Sequence, residues 1–140
     1  MEKTLQEIII RTAEEMRNFA AEIAQRAKPG DVYCLKGELG AGKTTFAQGF
    51  ISALQEEKDI VTSPTFNLVQ IYKARNFNIY HCDLYRLENE DEFIQLGLDD
   101  AFRDAVTLIE WPEIAERFLP RDAKYITIKN SASDQRKILI

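Results

Sequence analysis

Eight consecutive residues constrain this chain more than any others: Gly37-Glu38-Leu39-Gly40-Ala41-Gly42-Lys43-Thr44. Glycine, four residues, then glycine, lysine and threonine is the spacing of a phosphate-binding loop. The chemistry asks for those residue types. Glycines let the main chain curl until several N–H groups point at one phosphate. A helix that starts directly after the loop sets its positive end beneath that phosphate. Lys43 then offers a point charge to the β- and γ-phosphates, and Thr44 a hydroxyl to magnesium. The flanks fit: Val32 to Leu35 is an apolar run leading in, and Phe46, Phe50, Ile51 and Leu54 carry a helical spacing leading out. The competing reading is a plain tight turn with Lys43 in solvent. Thr45 stands open between helix packing or capping and a contact with the nucleotide. A dinucleotide fingerprint is excluded, because no third glycine follows at the required place and the lysine has no role there.

The rest of the chain reads as strands interleaved with helices. Leu5 to Ile10 is a strand, and Thr12 with Glu15 is a capping box that opens a helix ended by Pro29-Gly30. Leu68 to Tyr72 and Phe77 to Leu84 are two strands close enough to form an antiparallel hairpin. Asn89 with Glu92 opens a helical turn that Gly97 breaks, and Asp99 to Asp104 forms another. Val106 to Ile109 is a strand ending on Glu110, and Tyr125 to Ile128 and Lys137 to Ile140 close the chain as strands. The expected fold is α/β: a three-layer sandwich of the P-loop NTPase type, with a mixed, mainly parallel central sheet and an antiparallel hairpin. Residues 1–140 are expected to form one domain, since this length supports one core and not two.

Composition narrows the function. A formal net charge of -5 leaves no overall positive field to displace counterions, which argues against a general nucleic-acid coat. With two cysteines and one histidine, a Cys/His metal centre has almost no ligands to draw on. No apolar stretch approaches a membrane span, and the chemistry is that of a protein in a reducing compartment.

A nucleotide hydrolase with this loop needs an acid at the end of a neighbouring apolar strand. Glu110 and Asp83 both qualify; one can hold magnesium and the other can orient the attacking water. An Asp at a strand end can equally cap a turn. His81, two residues before Asp83, reads as a structural or supporting residue on the same strand rather than a proton carrier. The acids between Glu88 and Asp104 are better explained by helix caps and a solvated face. Ser63-Pro64-Thr65 is either an ordinary turn or a switch-like segment that senses the γ-phosphate. Trp111 either covers the nucleotide site or packs against the core. A guanine-reading Asn-Lys-x-Asp is missing, and the arginines, among them Arg75, Arg86, Arg117, Arg121 and Arg136, make no lid cluster of the kind small-molecule kinases carry.

Four blocks in order carry a more specific likeness: the loop from Gly37 to Thr45, then Ser63-Pro64-Thr65-Phe66, then His81-Cys82-Asp83-Leu84-Tyr85-Arg86-Leu87, then Ile109-Glu110-Trp111-Pro112-Glu113. Together they resemble the TsaE (YjeE) family, the small ATPases of bacterial tRNA threonylcarbamoyladenosine biosynthesis, over nearly the whole chain. The resemblance implies a cytoplasmic, magnesium-dependent ATP-binding protein with weak intrinsic hydrolysis. It also implies TsaB and TsaD as partners, which modify adenosine 37 of tRNAs reading ANN codons, with tRNA met only through that complex and neither membrane nor DNA bound. Carried over residue by residue, it puts Lys43 on the phosphates, Thr44 and Glu110 at magnesium and Asp83 at hydrolysis, and makes Ser63-Pro64-Thr65 the switch-like loop. The loop residues Gly37, Glu38, Leu39, Gly40, Ala41, Gly42, Lys43, Thr44 and Thr45, with Trp111, would surround the nucleotide. Two departures are minor: Gln55 to Asp59 lacks the glycines usual there, and Cys82 replaces a frequent aromatic. The alternatives are a P-loop small-molecule kinase and a non-enzymatic, nucleotide-dependent binding module.

Overall fold

The computed structural model describes residues 6–38, 40–56 and 68–140. Leu39, the Ser63-Pro64-Thr65 segment and the first five residues therefore lie outside the described residues. Seven strands form one sheet: β1 (Glu7–Ile10), β2 (Val32–Lys36), β3 (Val69–Lys73), β4 (Asn78–Asp83), β5 (Val106–Glu110), β6 (Lys124–Asn130) and β7 (Arg136–Leu139). Their order across the sheet is β1-β7-β6-β2-β5-β4-β3. The four middle strands, β6, β2, β5 and β4, run parallel to one another. Antiparallel pairs close both edges, with β3 on β4 at one side and β7 with β1 at the other. The parallel centre and the hairpin at Val69–Asp83 follow the sequence expectation.

Alternation along β2 explains why both faces must be covered. Tyr33 and Leu35 enter one apolar cluster, whereas Val32 and Cys34 enter the other. The first cluster is roofed by α1 (Ala13–Ala24) and α2 (Lys43–Leu54), through Met16, Ala20, Phe46 and Phe50. The second is roofed by α3 (Glu90–Gln95), α4 (Asp99–Asp104) and a 3-10 helix at Pro112–Phe118. Gly49 sets the approach of α1 and α2, because a Cβ there would overlap the backbone of Arg17.

Local chemistry starts the helices where the sequence expects. Thr12 Oγ1 accepts from Glu15 N at 3.0 Å, and the Glu15 carboxylate accepts from Arg11 N at 2.7 Å. Asn89 does the same for α3, accepting from Glu92 N at 3.0 Å. Glu90, Asp91 and Glu92 fall in the first turn of α3 and Asp99 and Asp100 in that of α4, where carboxylates offset the helix dipole. Cys34 and Cys82 are both buried and free. Each is aligned with Ile109, from opposite sides, which separates them by two strand spacings, about 9.6 Å, beyond disulfide reach.

Candidate nucleotide site

The loop, the ends of β4 and β5, and the start of α2 converge at the C-terminal edge of the parallel strands. α2 opens on Gly42, whose φ of 112° is a left-handed conformation that favours glycine and sends the chain from loop to helix in one residue. Lys43, next in sequence, is only 5% exposed. Its Nζ donates to the carbonyl oxygens of Gly37 and Glu38, and it lies 3.6 Å from the centroid of the Trp111 ring. Burial lowers the lysine's pKa from the usual range, against the opposing pull of Glu110, Glu113 and Asp83. The loop thus folds back on its own lysine, and a cation sits where phosphate charge would be welcome.

Thr44 meets Glu110 at the end of β5. Its Oγ1 is 3.1 Å from Glu110 Oε1 and 3.3 Å from Oε2. Glu110 is 3% exposed and has a second partner, His81 Nε2, at 2.7 Å from Oε2. Asp83 is aligned with Glu110 across the parallel β4–β5 pair, so the two acids end neighbouring strands side by side. Asp83 Oδ1 accepts from Tyr85 N at 3.0 Å. Desolvation raises its pKa, aided by the charge of Glu110 and opposed by the Tyr85 amide, His81 and Lys43. Trp111 follows Glu110 with φ 57° and ψ 60°, a left-handed conformation uncommon for a bulky residue, and its ring lies tilted at 46° to that of Tyr85, 4.9 Å between centroids. The turn aims the indole at Lys43 and starts the 3-10 helix.

The donor set fits a small hard cation: one hydroxyl and one carboxylate oxygen pair, with a second carboxylate adjacent. Among the described residues no group of three or more His, Cys, Asp or Glu gathers as a ready cage. Magnesium commonly binds in this manner, through one or two protein oxygens completed by substrate phosphates and water. Clefts lie on both sides of the loop. One, about 560 Å³, is lined by Gly37, Glu38, Trp111 and Asn130; the other, about 170 Å³, by Thr12, Gly40, Thr45 and Arg136.

Comparison with known proteins decides the family. The family model for threonylcarbamoyl adenosine biosynthesis protein TsaE matches residues 10–138. This chain belongs to the TsaE family. A TsaE protein of Rickettsia bellii is 43% identical over 128 residues, covering 91% of this chain and 89% of that one. One of Bacillus subtilis is 44% identical over 126 residues, covering 89% and 78%. The crystal structure of Bacillus subtilis YdiB superposes with a TM-score of 0.79 at 36% identity, over 99% of this chain and 86% of that one. The fold is therefore that of the TsaE proteins, and the chain belongs to a family of tRNA threonylcarbamoyladenosine biosynthesis.

Of the residues singled out in the sequence, the fold brings Gly37, Glu38, Gly40, Ala41, Gly42, Lys43, Thr44, Asp83, Glu110 and Trp111 to one edge of the sheet, with Thr45 in the smaller cleft. The Trp111 ring faces Lys43 on one side and lies beside Tyr85. Sequence reasoning missed Arg136. From the start of β7 its Nε donates to Ala41 O at 3.1 Å and its Nη2 approaches Gly40 O at 3.4 Å, bracing the outside of the loop. Nothing in the local sequence marks it, because the contact joins residues 95 positions apart.

Proposed function

We propose that this protein is a magnesium-dependent ATP hydrolase, weak by itself, that works with TsaB and TsaD in the threonylcarbamoylation of tRNA in the cytoplasm. The observation that carries the reading is the contact of the Thr44 hydroxyl with Glu110 directly beside the buried Lys43, a phosphate-binding loop facing strand-end acids. Lys43 exchanges its two loop carbonyls for phosphate oxygens when ATP enters, and the loop N–H groups surround the same oxygens. Thr44 and Glu110 would hold magnesium, which supplies neutralisation of charge on the phosphates. Asp83, at the end of the adjacent strand, orients the water that attacks the γ-phosphorus, and ADP leaves. Among the described residues Arg136 is committed to loop carbonyls, so the charge that builds on the transferring phosphoryl group calls for help from a partner surface near Trp111.

The test is single-turnover ATP hydrolysis with and without TsaB, TsaD and tRNA. Stimulation by the assembly is expected, with a Lys43→Ala variant inactive under both conditions. Fast, unstimulated hydrolysis by the isolated protein overturns the division of labour, and full activity of Lys43→Ala overturns the site.

A further inference from the structure

We propose that His81 is a positioning residue: it locks the Glu110 carboxylate in the orientation that keeps Oε1 available to a divalent cation beside Thr44. The inference rests on the nucleotide-and-magnesium reading of the site above and assigns a role within it.

His81 is fully buried, at 0% exposure, on the strand that ends in Asp83. Its Nε2 lies 2.7 Å from Glu110 Oε2, whereas Nδ1 has no hydrogen-bond partner among the described residues. The proton therefore belongs on Nε2, aimed at the carboxylate, and Nδ1 is a buried, unsatisfied acceptor. That orphan nitrogen is costly, and an apolar side chain would avoid it. The surroundings would accept one: Ile79, on the same face of β4, and Leu108, aligned with His81 on β5, are both fully buried. The imidazole's compensation is the single bond to Glu110.

The parallel register makes the bond possible. His81 is aligned with Leu108 and Asp83 with Glu110, so His81 reaches diagonally up the sheet to the carboxylate two residues ahead on the same face. The last torsion of a glutamate is broad and nearly two-fold, so a carboxylate held by Thr44 alone is free to turn. With Oε2 fixed by His81, Oε1 has, among the described residues, the Thr44 hydroxyl at 3.1 Å as its one partner. A fixed, single-oxygen ligand suits magnesium, which demands strict octahedral geometry. A freely turning carboxylate also suits calcium, which accepts bidentate oxygens and irregular shells. Hydrogen-bond partners of metal ligands are typically worth about 10- to 100-fold in metal affinity or activity.

Three variants test this: His81→Gln keeps an N–H donor at similar reach, His81→Asn places its amide at the Nδ1 position and falls short of Glu110, and His81→Leu removes all polarity. Circular dichroism and thermal unfolding establish that each is folded. Calorimetry then measures ADP affinity without metal, and Mg²⁺ and Ca²⁺ affinity of the ADP-saturated protein. The expected result is Mg²⁺ binding weakened about 10- to 100-fold in His81→Asn and His81→Leu, a smaller loss for Ca²⁺, unchanged metal-free ADP affinity, and recovery of most Mg²⁺ affinity in His81→Gln. In the metal-free parent, nitrogen NMR is expected to place the imidazole proton on Nε2. Equal Mg²⁺ affinity in all three variants and the parent overturns the proposal, as does equal weakening in Gln and Asn, or a proton found on Nδ1. If His81→Leu fails to fold, the Gln and Asn pair decides. Failure of the underlying reading looks different: the parent itself would bind no ADP, or bind Mg²⁺ no better with ADP than without.

Discussion

Lys43 holds its ammonium nitrogen 3.6 Å from the centre of the Trp111 indole, while the same nitrogen donates to two carbonyls of its own loop. A cation this close to an aromatic face is attracted by the ring quadrupole, more strongly when both are shielded from water. Lys43 is thus parked, and under the proposed function a phosphate would have to compete it away from the ring.

Trp111 is the chain's one tryptophan, so under the proposed function it should report on that exchange. ATP titration is expected to change its emission saturably. Lys43→Met should start from a different emission, show little response, and bind ATP about 10- to 100-fold more weakly, the worth of one or two charged hydrogen bonds. Calorimetry run beside the fluorescence checks both.

The two acids should separate binding from turnover. Glu110→Gln keeps the shape and the contact with Thr44 but loses charge, so ATP hydrolysis in the full assembly should fall about 10²-fold or more while ATP affinity changes by much less. Asp83→Asn should act in the same direction. Parent-rate hydrolysis by both variants would remove these two residues from the chemistry.

Arg136 braces the loop from outside. Arg136→Ala leaves the carbonyls of Gly40 and Ala41 to water and lets the loop spread, so ADP affinity should fall by about 1 kcal/mol for each bond lost. Lysine at this position should recover part of it. Calorimetric ADP binding, with urea unfolding to separate affinity from stability, reads the difference.

Gly49 is a prediction about folding alone. An alanine methyl there meets the backbone of Arg17, which cannot turn aside as a side chain would. α1 and α2 would have to part, at a cost of about 1–3 kcal/mol, seen as a lower urea midpoint.

Burial raises the Asp83 pKa, with a direct consequence for stability. Between the ordinary aspartate range and the raised value, the folded protein keeps a proton that the unfolded chain has released. Stability of the nucleotide-free protein should therefore decline as pH rises through that window. Asp83→Asn should flatten this part of the profile, measured by urea unfolding across acidic pH.

Much of the fold was legible because its signals are local. The capping groups of Thr12 and Asn89 lie within four residues of what they cap, and the run Val32 to Leu35 is apolar because β2 is buried on both faces. The 3-10 helix at Pro112–Phe118 was not legible. It depends on the left-handed turn at Trp111, which no periodicity announces. The antiparallel edge of β7 and β1, which joins the two ends of the chain, was equally silent, since pairing partners so far apart leave no mark on either strand.

The site divides the same way. The order of residues by itself determined the phosphate loop, the helix beneath it and the acids at strand ends, because each depends on neighbours along the chain. Tertiary structure alone decided that Glu110 faces Thr44, that His81 reaches Glu110 diagonally, that Trp111 covers Lys43 and that Arg136 grips the loop. Those four contacts follow from strand order and register, which arise only when the sheet assembles between its two apolar layers.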